Sequence, residues 1–395
     1  MVTPLRIVLK TSRKWIFACV GLALAGAPLT ASPKDRPAPP QPQLAPIAYL
    51  YDATSGQVLF EREADRRFMP ASITKVMTTF LAFEWMEEGK LSPDQRYSIR
   101  PDIWRQWKNV GSTMFLGHDD IVPVDRLIHG VTTVSANDGA AALADGAAGS
   151  LAQWVAAMNE KAAEIGMRNS HFGTPNGWMD EGRTFTTAED LSILATQMLR
   201  RHPGKYQHYV GKPAFTYNGI TQPNHDPISG MVPGADGIKT GFTNQAGYGF
   251  LGSAERKGRR LVMVVAGSPR GRDRNRAARE LIEWGFSAFE QRRLFAANQT
   301  VGFAKVQAGS RLEAALVAPH GVYVDRPKGQ GGAVQMKIVY DGPVRAPISK
   351  GETIAHLHVT VEGMPDYSIP LVARDDIGEA GFARRILNGV IGWFV

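Results

Sequence analysis

Along the chain the spacing of apolar residues changes character several times, and each change marks an expected boundary. A first apolar run from Trp15 to Ala27 follows Arg6, Lys10, Arg13 and Lys14, with small residues at Ala25, Gly26, Ala27, Ala31 and Ser32. Basic, apolar and small in that order is the layout of a secretory signal peptide, here over residues 1–31. The run falls short of the ~20 residues that a bilayer-spanning helix needs. Residues 32–43 carry Pro33, Pro37, Pro39, Pro40 and Pro42 and read as an extended linker. Apolar residues then flank Ala53-Thr54-Ser55-Gly56-Gln57 as a strand, turn and strand. From residue 72 to about 148 the period becomes helical. Strands return at 247–254 and 260–266, and 276–286 reads as a helix. Strands at both ends of a helical middle predict an α/β domain over residues 44–290, its sheet assembled from distant segments.

Past about residue 298 the pattern shortens to alternating segments such as 334–340 and 355–361, punctuated by Gly and Pro, which predicts a small all-β domain over 296–374. In the second segment Ala355, Leu357, Val359 and Val361 point one way and His356, His358 and Thr360 the other. Two histidines on one face can ligate metal, but with no third ligand paired to them they are read as a solvated face. The last segment, 378–395, gathers Phe382, Ile386, Leu387, Val390, Ile391 and Phe394 on one helical stripe opposite Arg384, Arg385 and Asn388. Coming after a completed β domain and with Trp393 beside it, the stripe is read as an amphipathic helix at a membrane surface; packing on the protein is the alternative.

Composition narrows the classes. The chain has 395 residues, 44% of them hydrophobic, and a formal net charge of +8. That charge suits a polyanionic wall, an anionic membrane or nucleic acid, but no zinc-finger spacing, aromatic RNA-binding signature or long basic run supports nucleic acid. The single cysteine, Cys19, lies inside the signal segment. The mature chain would then hold no thiol, which suits an oxidising compartment and excludes cysteine catalysis and thiolate metal sites.

The residues able to do covalent chemistry are few. Ser72 and Lys75 stand at i and i+3, where Met69-Pro70-Ala71 leads into an apolar helical run, so the amine can reach the hydroxyl. A serine becomes nucleophilic when a base takes its proton, and a lysine can serve once burial or a neighbouring cation lowers its pKa. Alone the pair is weak, because many helices start with a serine and expose a lysine. Two further elements follow in order: Ser135-Ala136-Asn137 in a polar break between apolar stretches, and Lys239-Thr240-Gly241 ahead of a strand near Tyr248. Each triplet is common; the ordered trio marks penicillin-binding proteins and class A β-lactamases.

With these motifs in place, the chain resembles the low-molecular-mass penicillin-binding proteins that act as D-alanyl-D-alanine carboxypeptidases. The likeness runs through the segments 70–78, 111–115, 135–138, 171–177, 236–243 and 284–286 and continues loosely to the end. It implies a penicillin-binding/β-lactamase-like transpeptidase fold: an antiparallel sheet flanked by helices, with a helical subdomain. It also implies that Ser72 attacks the carbonyl between two D-alanines while Lys75 accepts its proton. Ser135, linked to Lys75 and Lys239, would relay a proton to the departing D-alanine, and Asn137 would hold the peptide. The N–H groups of Ser72 and Phe242 would form the oxyanion hole beside Gly241. Thr240 and Arg274 would hold the free carboxylate. Arg274 is chosen by its distance from Lys239 and Trp284, with Arg270, Arg272 and Arg276 close by. The expected partners are peptidoglycan stem peptides, β-lactam antibiotics and, through the tail, the outer face of the cytoplasmic membrane in the periplasm. No cofactor or metal is expected. One departure stands out: Asn224-His225-Asp226 replaces the family's usual Asn-Arg-Asn, a titratable group for a fixed cation.

Three rivals remain in view. A D,D-endopeptidase shares every catalytic motif. A class A β-lactamase needs a glutamate for its water, and Glu164, the nearest candidate, lacks the expected asparagine spacing. A non-catalytic wall-binding module would not need all three motifs intact. The absence of His-Glu-x-x-His disfavours a metallopeptidase.

Overall fold

The computed structural model describes residues 10–11, 38–329 and 333–381. The chain divides into two compact units. One comprises residues 38–53 and 60–285 and holds all nine candidate site residues named above. Its sheet is built from β1 (Ile47–Asp52), β2 (Gln57–Arg62), β3 (Ala235–Thr243), β4 (Gly247–Arg256) and β5 (Arg259–Ser268) in the order β2-β1-β5-β4-β3. The pairings β1/β5, β5/β4 and β4/β3 are antiparallel. Leu261, Val262, Met263 and Val264 are all buried, so β5 is covered on both faces. The pleat sends Leu50 and Leu261 to one side, where Gly285 of α8 (Gly271–Ala288) sits so close that a Cβ would fall 2.6 Å from Leu50 and 2.8 Å from Leu261.

The helical part contains α1 (Lys75–Glu87), α2 (Pro101–Trp107), α3 (Val124–Thr133), α4 (Asn137–Ala148), α5 (Leu151–Glu164), α6 (Ala188–Arg201) and α7 (Pro203–Tyr209). Helix α1 is buried from Lys75 to Glu84 without a solvated face, because α3, α5 and α6 surround it. Local chemistry fixes the boundaries. Ser150 and Thr187 cap α5 and α6 by accepting from Gln153 N (3.2 Å) and Asp190 N (3.1 Å), and α4 ends at Gly149 with φ +79°. The helical expectation for 72–148 needs amendment: Arg96–Ser98 and Ile121–Pro123 form a short antiparallel pair. Between them, Asn109 and Phe115 take positive φ, which no helix accommodates.

The other unit takes in Thr54–Leu59, the tip of the β1/β2 connection, and the chain from Phe286 onward. It starts earlier than the predicted 296, because Phe289–Phe295 pairs antiparallel with Val322–Pro327. Buried Asp325 accepts from Ser55 Oγ (2.5 Å), and its N–H donates to Gln57 Oε1 (3.0 Å). Hydrogen bonds of such range in sequence carry no periodic signature. A larger sheet runs Val334–Tyr340, Thr353–Val361, Tyr367–Ala373, Glu313–Val317, Thr300–Gln307 and Val344–Arg345, with Lys10–Thr11 paired along its first strand. Ala355, Leu357, Val359 and Val361 enter the core and His356, His358 and Thr360 are exposed, as the alternation implies. Residues 378–381, expected to open the terminal helix, run extended instead: Glu379 bridges Gly309, and Ala380 N–H donates to Ala308 O at 2.8 Å. The stripe from Phe382 onward and most of the signal segment lie outside the described residues.

Candidate active site

Ser72 lies on a single 3₁₀ turn, Ala71–Thr74, that feeds directly into α1. Ala71 has φ +49°, a left-handed conformation that costs an alanine of the order of 1–2 kcal/mol. Two glycines from elsewhere press on this turn. A Cβ on Gly177 would lie 1.9 Å from Ala71 O, and one on Gly241 2.4 Å from Pro70 O. The Lys-Thr-Gly strand and the 171–177 segment therefore meet the serine turn backbone to side, which a larger residue would prevent.

Lys75, with 0% of its surface exposed, makes three contacts. Its Nζ is 2.9 Å from Ser72 Oγ, 2.7 Å from Asn137 Oδ1 and 2.7 Å from Asn176 O. Asn137 opens α4, and its Nδ2 donates to Val110 O at 2.8 Å, so the orientation of its amide is fixed from both ends. Burial, then the nearby charge of Lys239, drives the Lys75 pKa well below that of a free lysine, with Asp138 opposing. Asp138 in turn accepts from the N–H groups of Met114 (2.9 Å) and Leu116 (3.1 Å). That holds the 111–116 loop against the start of α4. Lys239 and Lys75 border one internal space of about 10 Å³. Burial and then Arg274 hold Lys239 at a pKa of about 7, with Asp226 opposing.

Above the amines lies a cavity of about 550 Å³ lined by Ser72, Ser135, Asn137, Thr240, Gly241, Phe242 and Arg274. The structure thus gathers all nine residues singled out in the sequence, seven in the wall and the two lysines behind it. Phe242, 47% exposed, stacks on Tyr248 with ring centroids 4.1 Å apart. Arg274 in the first turn of α8 donates to Gly249 O at 3.0 Å and is placed in the cavity, which selects it over Arg270, paired with Asp273 at 2.6 Å, and over Arg276, paired with Glu280 at 2.7 Å. His225 lines the same cavity, its pKa lowered by burial and by Lys239 and Arg274.

One expected link is not made. Ser135 has φ +63° and borders the cavity, yet its hydroxyl bonds neither amine: the contacts of Lys75 are those above, and Lys239 donates to Thr240 O at 3.0 Å. The reason is geometric: Ser72, Asn137 and Asn176 already surround the Lys75 amine, and the Lys239 amine donates to the Thr240 carbonyl instead. Sequence reasoning also missed Asn176, whose contribution is a backbone carbonyl, and the wall residues Trp178, Met179 and Tyr248. The strain that a side chain at Gly177 would cause is the one trace of this contact in the sequence. Glu164 is paired with Lys161 at 2.5 Å and Arg201 at 3.2 Å and does not border the cavity.

Residues 35–270 match the family model described as D-alanyl-D-alanine carboxypeptidase. The chain belongs to that family. Residues 289–379 match the C-terminal domain of penicillin-binding protein 5, which makes it a low-molecular-mass penicillin-binding protein and a serine-type carboxypeptidase by family. Among curated relatives, D-alanyl-D-alanine carboxypeptidase DacA of Haemophilus influenzae is 30% identical over 97% of this chain and 98% of its own. DacA of Escherichia coli K12 is 32% identical over 89% and 88%. Among solved structures, penicillin-binding protein 5 from Haemophilus influenzae aligns with a TM-score of 0.75 at 32% identity, covering 87% of this chain and 99% of that one. Penicillin-binding protein D2 from Listeria monocytogenes, in its ampicillin-bound form, aligns with a TM-score of 0.57 at 31% identity over 63% and 100%. No described helix is long and apolar enough to cross a membrane.

Proposed function

We propose that this family member removes the terminal D-alanine from peptidoglycan stem peptides through an acyl-enzyme on Ser72, with Lys75 as general base. The observation that carries the reading is the number and kind of partners around Lys75. A neutral amine has two N–H bonds and one lone pair. Asn137 Oδ1 and Asn176 O can only accept, so they take the two N–H bonds, and the lone pair is left for the one neighbour that can donate, the Ser72 hydroxyl. An ammonium would satisfy the same three positions but would be buried without a counter-ion bonded to it, which burial disfavours.

In the proposed reaction Ser72 gives its proton to Lys75 as its oxygen attacks the D-alanyl carbonyl. The N–H groups of Ser72 and Phe242 stabilise the oxyanion. Ser135 relays a proton to the leaving D-alanine, a step for which its hydroxyl must approach an amine once substrate is bound. Asn137 orients the peptide, and Thr240 and Arg274, with Lys239 and Gly241 in the same strand segment, receive the C-terminal carboxylate. A fluorescent penicillin is expected to label the protein covalently, and Ser72→Ala to abolish labelling while leaving the melting temperature within a few degrees. A pentapeptide ending in two D-alanines is expected to release free D-alanine; cleavage confined to cross-linked dimers would replace this reading by an endopeptidase. Export to the periplasm and membrane association through residues 382–395 belong to the same proposal and rest on the apolar patterns of both ends. Deleting the tail is expected to move the protein from the membrane fraction to the soluble one.

A further inference from the structure

Away from the cavity, α3 and α7 bring together three side chains that the reaction does not use. Asp125 and His129 lie one helical turn apart on α3, and His208 reaches them from α7. The Nε2 atoms of both histidines face the same oxygen, Asp125 Oδ1, at 3.3 Å for His208 and 3.8 Å for His129. All three donor atoms fall within 4.8 Å of one another, and among the described residues no other trio of His, Asp, Glu or Cys does so. Around a zinc ion with bonds of about 2.0–2.1 Å, ligand atoms stand about 3.3 Å apart. The cluster therefore needs to contract by no more than about 1.5 Å on its widest edge.

The surroundings hold the rings in place. Tyr209 lies against both imidazoles, with centroids 4.7 Å from His129 and 4.5 Å from His208, and Phe215 stacks on His129 at 6.5 Å. The nearby cations are Arg126 and Lys212. Arg126 is turned away, over the Phe215 ring at 4.5 Å and onto Thr216 O. His208, with 60% of its side chain exposed, leaves one side open for water as a fourth ligand. Two imidazole nitrogens and one carboxylate oxygen form a donor set suited to zinc and its neighbours, and poorly to magnesium or calcium. We infer that Asp125, His129 and His208 bind one divalent transition-metal ion of the zinc class. An ion held there ties α7 to α3, beside the bond from Thr132 Oγ1 to Tyr209 O (2.8 Å), and α3 is the helix that leads through Val134 to Ser135.

The test uses the full chain, stripped with a chelator and titrated with Zn²⁺ alone against a chromophoric competitor. One equivalent is expected to bind and to raise the melting temperature. His208→Ala, at an exposed position, is expected to melt like the wild type without metal, to bind Zn²⁺ at least about tenfold more weakly and to lose the thermal shift; Asp125→Asn is expected to weaken binding in the same way. The double variant His356→Ala/His358→Ala, on the exposed face of the β unit, is expected to bind as the wild type does. The inference is overturned if no equivalent binds, or if His208→Ala binds Zn²⁺ as tightly as the wild type.

Discussion

Replacing Lys239 by methionine is expected to make the protein more stable and less active. Lys239 is 6% exposed, and its amine bonds the Thr240 carbonyl at 3.0 Å with no carboxylate in contact among the described residues. Its pKa stands at about 7 in the native state against 10.5 for a free lysine. Between those values the unfolded chain holds a proton that the native chain has released. Stability therefore rises with pH from about 7 to 10.5, and below that window the native state carries the full penalty. At about 1.36 kcal/mol per pH unit the penalty is about 4–5 kcal/mol. Methionine is unbranched, of similar length and uncharged, so it removes this term; the lost bond to Thr240 returns about 1 kcal/mol, and imperfect packing about as much again. A gain of about 2 kcal/mol or more at pH 7 remains, worth about 4–8 °C for a unit of this size. Calorimetric melts at pH 7 and pH 9.5 check it. The wild type is expected to gain about 3 kcal/mol on Lys239→Met between the two, enough to close the gap by pH 9.5, while acylation of the variant falls at both. A variant that melts below the wild type at pH 7, or a wild type whose melting temperature is flat over the interval, would refute the reasoning.

Lys75→Met is expected to slow labelling by a fluorescent penicillin by about 10²–10⁴-fold, the range for loss of a general base, with an unchanged circular dichroism spectrum; a loss under tenfold contradicts the assignment. Gly241→Ala would place a Cβ 2.4 Å from Pro70 O and 3.0 Å from Ile73 Cγ1, so strand and serine turn must separate. The expected cost is about 1–3 kcal/mol in urea unfolding, together with slower labelling. Arg274→Gln is expected to raise KM about tenfold or more for a peptide ending in a free carboxylate and to leave KM for the matching C-terminal amide unchanged, because only the former has a charge to lose.

Much of the fold was legible because burial imposes a period. The segment 355–361 alternates faithfully, for one side of its sheet is core and the other water. The buried runs of β4 and β5 were found as strands, though both extend further than expected because flanking Arg256, Arg259 and Ser268 still pair in the ladder. Elements held by tertiary contacts left no such trace. The 54–59 tip groups with the other unit through Ser55, Gln57 and Asp325, residues more than 260 positions apart along the chain. Residues 378–381 had an acceptable helical pattern, but a bridge to Gly309 gives their backbone a partner that periodicity does not report.

The site divides along the same line. Side-chain chemistry in fixed order made Ser72, Lys75, Asn137 and Lys239 readable, since the three motifs that hold them are distinctive as an ordered set. The lowered pKa of Lys75 was not readable, because it depends on burial and on the charge of Lys239 brought near in the fold, and not on which residues are present. Two acceptors without protons, one of them the carbonyl of Asn176, bond the amine beside Ser72, and in the proposed mechanism they leave its lone pair for the hydroxyl. A single additional donor or a carboxylate in contact would have reversed that preference. Lys239, itself buried and held at a pKa of about 7, adds repulsion that lowers the Lys75 pKa further while bonding neither that amine nor Ser135. In the proposed mechanism this arrangement serves the attack by Ser72 directly, and the departure of the leaving group only after a change. Ser135 lies in the wall of the cavity, bonded to neither lysine, and the proposed proton relay requires its hydroxyl to approach one of them once substrate is bound.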